Sequence, residues 1–245
     1  MKQGLILVLL LLLSAMLASA DTILFISAGG NSIDGVYTFP YLSQVNGSGT
    51  TVAAMCDDFS NEIGNSESWT ATANVLNSTN AASDFLYSHQ TVFGAGTNGL
   101  APTTGVEAYD EVGYIFENIL SGNFSATEGN AAVWYLFASN TNSTAASDFG
   151  GDATALGILT QAYNATIDNA SYDYANIVVY SPYPLDSGSS AYDPNSPNYD
   201  QHAYPQEFLI DPTFGTPEPP PSLLLIAGAA MIGLVSLIRR KRHPR

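Results

Sequence analysis

The sequence predicts an α+β fold. It reads as a β-rich body with strands at both ends, a three-helix insertion, and a single transmembrane helix at the C-terminus. Three observations carry this. Runs rich in β-branched and aromatic residues, punctuated by Gly, Pro and Asn, fill residues 22–76 and 174–211. Between them, residues 105–168 change to apolar spacing of i, i+3, i+4. Finally, Ser222 to Ile238 is 17 residues without a charge, which at about 1.5 Å per helical residue is at the lower limit for a hydrocarbon core of about 30 Å.

The elements follow in chain order. "TILFISA" (22–28) is a strand, and Val36 to Tyr41 suggests a second. "NGSG" (46–49) is a hairpin signal, and "TTVAAMC" (50–56) is the returning strand. "SWTATANVL" (68–76) is a further strand, and the Gly- and Pro-containing stretch 90–105 is a loop. Val106, Tyr109, Val112, Gly113, Phe116, Ile119 and Leu120 share one face of a helix that Ser121-Gly122 ends. Asp110, Glu111 and Glu117 are assigned to its wet face. A largely buried helix starts near Ser125, a third covers 152–168, and 174–182 returns to strand. A long polar loop carries "YDPNSPNYD" (192–200), and "QEFLID" (206–211) is the last strand.

Charge narrows the function. The net charge is −16, and all six basic residues lie at the ends: Lys2, Arg239, Arg240, Lys241, Arg242 and Arg245. The body from Asp21 to Thr216 has no Lys or Arg, yet holds every Asp and Glu of the chain except Glu218. Nucleic-acid binding needs cations against phosphates, and bidentate anion recognition needs arginine. Schiff-base chemistry needs lysine. None is open to this body. Roughly 200 residues suit one domain or two closely packed subdomains.

The chain ends address the protein. Lys2, the apolar run Gly4 to Leu13 and "ASA" at 18–20 form a secretory signal peptide (1–20), so Asp21 is the expected mature N-terminus after the Sec translocon. At the other end, Pro217-Glu218-Pro219, the apolar run 222–238 and the basic tail 239–245 occur in order. The positive-inside rule keeps Arg239, Arg240, Lys241 and Arg242 cytoplasmic and the body (21–216) outside. A plain single-span anchor would share the run and the tail. The tripartite segment 217–245 closely resembles the PEP-CTERM sorting signal. That resemblance implies processing by an exosortase, transient anchoring in the inner membrane, and delivery to the cell surface or outside. It also implies association with exopolysaccharide and biofilm matrix.

Cys56, in "AAMCDDFSNEIG" (53–64), is the only cysteine and so has no intramolecular disulfide partner. A strand-rich start ending in "MCDDF" and a helix carrying "NAAVW" (130–134) together resemble the bacterial thioester domain of surface adhesins. In that family a cysteine at the end of an early strand bonds a glutamine in a TQxAIW-like helix. The resemblance implies a pair, Cys56 and Asn130, with Ala132-Val133-Trp134 matching "AIW". The family's glutamine position is Asn130, one methylene short, and its threonine position is Gly129. Other readings of Cys56 stay open: a buried free thiol, a thioester-domain scaffold without the crosslink, or Cys/His catalysis with His89 or His202.

Asp57, Asp58 and Glu62, and Asp193, Asn195, Asn198 and Asp200, carry oxygen ligands of the kind calcium takes, but neither stretch has EF-hand spacing. The sequence does not show which carboxylates could converge as a glycosidase pair. It therefore predicts no catalytic residue, no metal site and no cofactor. The expected function is that of an exported structural or binding protein. The alternatives are a covalent adhesin using Cys56 and a secreted protein that binds or hydrolyses polysaccharide.

Overall fold

The computed structural model describes residues 20–60, 63–81, 85–87, 104–138, 143–167, 173–182 and 205–214. The chain divides into two compact units, Met1–Phe214 and Gly215–Arg245. The second, with the expected sorting signal, lies outside the described residues, as do residues 1–19 of the expected signal peptide.

The strands are β1 (Asp21–Ala28), β2 (Ser32–Ile33), β3 (Val36–Tyr37), β4 (Tyr41–Val45), β5 (Thr51–Cys56), β6 (Ser68–Asn77), β7 (Asp173–Pro182) and β8 (Phe208–Ile210). Five helices lie among the described residues between β6 and β7: α1 (Ser78–Ala81), α2 (Gly105–Leu120), α3 (Ala126–Ala138), α4 (Ser143–Phe149) and α5 (Ala153–Thr166). Six strands close an antiparallel barrel in the order β1-β4-β5-β8-β7-β6, with β6 returning to β1. β2 and β3 form a separate small hairpin.

This overturns the architecture expected from the sequence. Strands from the two ends of the body interleave in one closed barrel instead of flanking an insertion. Five helices stand where three were expected. No helix among the described residues is long and apolar enough to cross a membrane. The run 222–238, from which a transmembrane helix was expected, lies outside those residues. Barrel closure rests on β8 sitting between β5 and β7. Its pairing with β5 joins residues some 150 positions apart, for which no local signal exists.

Local chemistry explains the turns. Asp34 (φ 49°) and Gly35 (φ 87°) make the two-residue connection of β2 to β3, where both positions need left-handed backbone. The strand expected over 36–41 is broken there: β3 ends at Tyr37 and β4 begins at Tyr41. Asn46 (φ 54°) and Gly47 (φ 60°) turn β4 into β5. Thr104 and Glu107 form a capping box at the start of α2, and Asp152 caps α5. Register shifts in β1 between Phe25 and Ser27, and in β6 between Val75 and Leu76, bend those strands.

Alternate strand residues fill the barrel. Ile23, Phe25, Tyr41, Ala54, Phe208 and Ile210 are buried, and Trp69 of β6 meets Phe208 of β8 at 5.8 Å although β7 separates their strands. The opposite faces of β5, β8 and β7 are buried too, through Met55, Leu209 and Val179. A sheet buried on both faces needs a second layer, and the helices supply it. Phe39 packs edge-on against Phe116 of α2 at 5.8 Å. Gly113 lets α2 approach the barrel: a Cβ there would lie 2.5 Å from the Tyr174 ring and 3.0 Å from Leu76. Gly113→Ala therefore overpacks this seam and should lower stability by about 1–3 kcal/mol in urea unfolding, despite the higher helix propensity of alanine.

Candidate functional site

Register builds the site. Cys56 pairs with Phe208, and Phe208 with Tyr180. One step further along each strand, Asp57, Glu207 and Ser181 come side by side across three neighbouring strands. Asp57, Asp58, Glu207 and Ser181 are all fully buried. Tyr109 of α2 and the segment 85–87 cover them. The Glu207 carboxylate accepts from the Leu86 N–H (2.9 Å), the Tyr109 hydroxyl and the Ser181 hydroxyl. Asp58 Oδ1 accepts from the Tyr87 hydroxyl at 2.8 Å and the Ser60 N–H at 3.0 Å. Gln206 Nε2 donates to the Asp58 carbonyl at 3.1 Å. Aromatic rings seal the group: Tyr87 stacks on Phe137 at 4.5 Å, and Tyr109 packs on Phe85 at 4.7 Å.

Asp57 is different. Neither of its carboxyl oxygens meets a donor at hydrogen-bonding geometry. The side chain it faces is Glu207, another acceptor. Two acceptors bond only when one carries a proton. Burial first, then the Glu207 charge, push Asp57 well above the usual carboxylate range. Burial also raises Glu207, but the bonds from Asp57, Ser181, Tyr109 and Leu86 pull it back. The proton thus sits on Asp57 and is donated to ionised Glu207. No Lys or Arg exists in the body to neutralise the pair instead. A glycosidase pair stands apart, with the sugar between its two carboxyl groups, whereas these two share a proton and are closed to solvent.

The two residues of the expected thioester pair lie together. Cys56 ends β5, and Asn130 projects from α3 beside it. The Asn130 amide is already engaged at both ends: Nδ2 donates to the Cys56 carbonyl at 2.7 Å, and Oδ1 accepts from the Phe39 N–H at 2.9 Å. It clamps the end of β5 to the segment between β3 and β4. The Cys56 sulfur donates to the Asp58 carbonyl at 3.2 Å. Burial first, then the charge of Asp58, push the thiol well up, so it stays protonated and weakly nucleophilic. Trp134 lies beside the thiol and packs on Phe59 at 5.4 Å and Phe149 at 5.5 Å. Gly129 is a packing glycine, since a Cβ there would lie 2.6 Å from Ile119 Cδ1.

Other expected positions fall differently. Asp110 and Glu111, assigned to a wet face, are buried. Tyr174 holds Asp110 Oδ1 from β7 at 3.1 Å. Glu117 is exposed as expected and shares a surface depression of about 450 Å³ with Asn118, Leu120, Ser121 and Asp211. Glu62, His89, His202, Asp193, Asn195, Asn198 and Asp200 lie outside the described residues. Among the described residues no three His, Cys, Asp or Glu side chains are placed to hold a metal ion. The sequence reading missed Glu207, Ser181, Tyr87 and Tyr109 as site residues. The one available signal was a carboxylate set directly against the apolar run "FLI".

No protein-family model matches the chain, and no curated protein or solved structure matches it at significance.

Two outcomes test the geometry. Asn130→Ala strands the Phe39 N–H and the Cys56 carbonyl in the interior, and should cost roughly 2–5 kcal/mol in urea unfolding. Asp110 is raised by burial from 3.8 to about 6. A raised acid stabilises the fold below its unfolded value and loses that contribution as pH rises through the folded value. The stability of Asp110→Asn relative to the natural protein should therefore climb as pH rises from about 4 through about 6. A difference that stays flat with pH would contradict it.

Proposed function

We propose that the protein is an exported cell-surface or extracellular-matrix component, sorted through its C-terminal segment, with the barrel as a structural or binding body. One observation carries this reading. The first barrel strand begins at Asp21, the expected mature N-terminus, and the first compact unit ends at Phe214, just before Pro217-Glu218-Pro219. The described elements thus fit between the two expected targeting sequences. The partners of this route are the Sec translocon, an exosortase acting near Pro217-Glu218-Pro219, and exopolysaccharide of the surrounding matrix. The role assigned to the barrel is support or binding, because Cys56, Asp57, Asp58 and Glu207 are buried and turned toward one another.

Expression in parent cells and in cells lacking the exosortase tests the sorting route. The parent should yield a chain that starts at Asp21 and has lost Arg239, Arg240, Lys241 and Arg242. The deficient strain should retain the tail on a membrane fraction. Identical C-termini in the two strains would contradict the reading.

The contact of Asn130 with the backbone of Cys56 favours a second reading, a covalent thioester-type adhesin. The amide's two backbone bonds and the protonated thiol weigh against it. The intact mass of the secreted chain should therefore show no loss of ammonia and no uptake of methylamine. Either change would restore the adhesin reading.

A further inference from the structure

β8 is three residues long, yet it alone joins β5 to β7 and closes the barrel. Its three residues are buried, as are the partners Met55, Cys56 and Val179. The residue just before it is Glu207, and the neighbour of Glu207 on the β5 side is Asp57. The Asp57 oxygens are buried without a donor and face a carboxylate whose own oxygens take the Leu86, Tyr109 and Ser181 donors. Among the described residues, the other groups recorded facing the pair are acids or neutral donors. The end of β5 supplies Cys56 and Asp58, segment 85–87 supplies Tyr87, α2 supplies Tyr109 and β7 supplies Ser181. Lysine and arginine are absent from the body's sequence, and its two histidines, His89 and His202, lie outside the described residues. With one proton the pair is a single negative charge held by hydrogen bonds. Without it, two like charges face each other in a medium where repulsion is strong, with no lysine or arginine in the body to offset it.

We propose that the proton shared by Asp57 and Glu207 is a latch on barrel closure, and that losing it to solvent base releases β8 from between β5 and β7. Release takes Glu207 into water, where both carboxyls ionise in the ordinary range. Opening therefore frees one proton, and the opening equilibrium grows about tenfold per pH unit until the closed pair itself ionises. β1 and β4 carry no such pair across their register, so the response is confined to the β8 seam. Trp69, packed on Phe208, reports the same event.

Amide hydrogen exchange on the exported full body, corrected for the intrinsic rate at each pH, tests this. Protection at Phe208–Ile210 should fall about tenfold per pH unit above the ordinary carboxyl range while the β1–β4 amides keep theirs. Asp57→Asn keeps a donor toward Glu207 and cannot ionise, so it should flatten the response of β8. Glu207→Gln, which also leaves a single ionisable group, should do the same. Protection at β8 that is independent of pH, or that falls in step with β1 and β4, would overturn the latch. So would an Asp57→Asn protein with the same pH response as the natural one. If neither variant folds, the contrast between β8 and β1–β4 in the natural protein decides.

Discussion

The structure depends on a constraint set by composition: this body must bury carboxyl groups without a single lysine or arginine to pair them. A buried ionised carboxylate is costly unless hydrogen bonds or an opposite charge replace its water. With cations absent, the fold uses protons, hydroxyls and amides. Asp57 donates to Glu207, which also takes Tyr109, Ser181 and the Leu86 N–H. Asp58 takes Tyr87, and Asp110 takes Tyr174. A second carboxyl pair, Glu128 and Asp152, meets nearer the surface. Burial and then Asp152 raise Glu128. Burial also pushes Asp152 up, but bonds from the Ala155 N–H, Glu128 and the Thr154 N–H outweigh it and bring Asp152 down. Asp152 caps α5 through the Thr154 and Ala155 N–H groups.

These pairs hold the architecture together. The Asp57–Glu207 contact spans the joint where the last strand enters the barrel. Tyr109 ties that joint to α2, and Tyr87 ties it to the chain before α2. Cys56 and Asn130 lie beside it. Asn130 spends both ends of its amide on the backbones of Phe39 and Cys56, so its chemistry is that of a clamp. Burial and nearby acids keep the thiol protonated. The groups that could have been reactive are thus the groups that fasten strands to helices, which explains how a closed barrel with its helices coheres without a disulfide.

Much of this was legible locally, and what was not is non-local. Periodicity placed α2, because its apolar face recurs every three to four residues and its cap and terminal glycine are explicit. β5, β6 and β7 were legible from their β-branched runs. α1 and α4 are too short to show a period. The strand expected at 36–41 divides at Thr38-Phe39-Pro40, where proline has no N–H to give a ladder, and Asp34-Gly35 draws Val36-Tyr37 into a separate hairpin. Barrel closure depends on β8 finding β5 across the helices and β7 across residues 183–207, which no short window of sequence displays. Asp110 and Glu111 read as solvated because charged residues on a helix usually are. Their burial follows from Tyr174 and the barrel wall, both distant in sequence. Cys56 and Asn130 were paired by a motif and do lie together, while Glu207, the centre of the site, carried no motif at all.

The central claim is that one proton, and not a cation, neutralises the buried carboxyls at the barrel seam. Carbon-13 NMR of the Asp57 and Glu207 side-chain carboxyls in the folded protein at neutral pH measures this directly. The account predicts one neutral carboxylic acid, at Asp57, beside one carboxylate, at Glu207. Two carboxylates that both titrate in the ordinary acid range would contradict it.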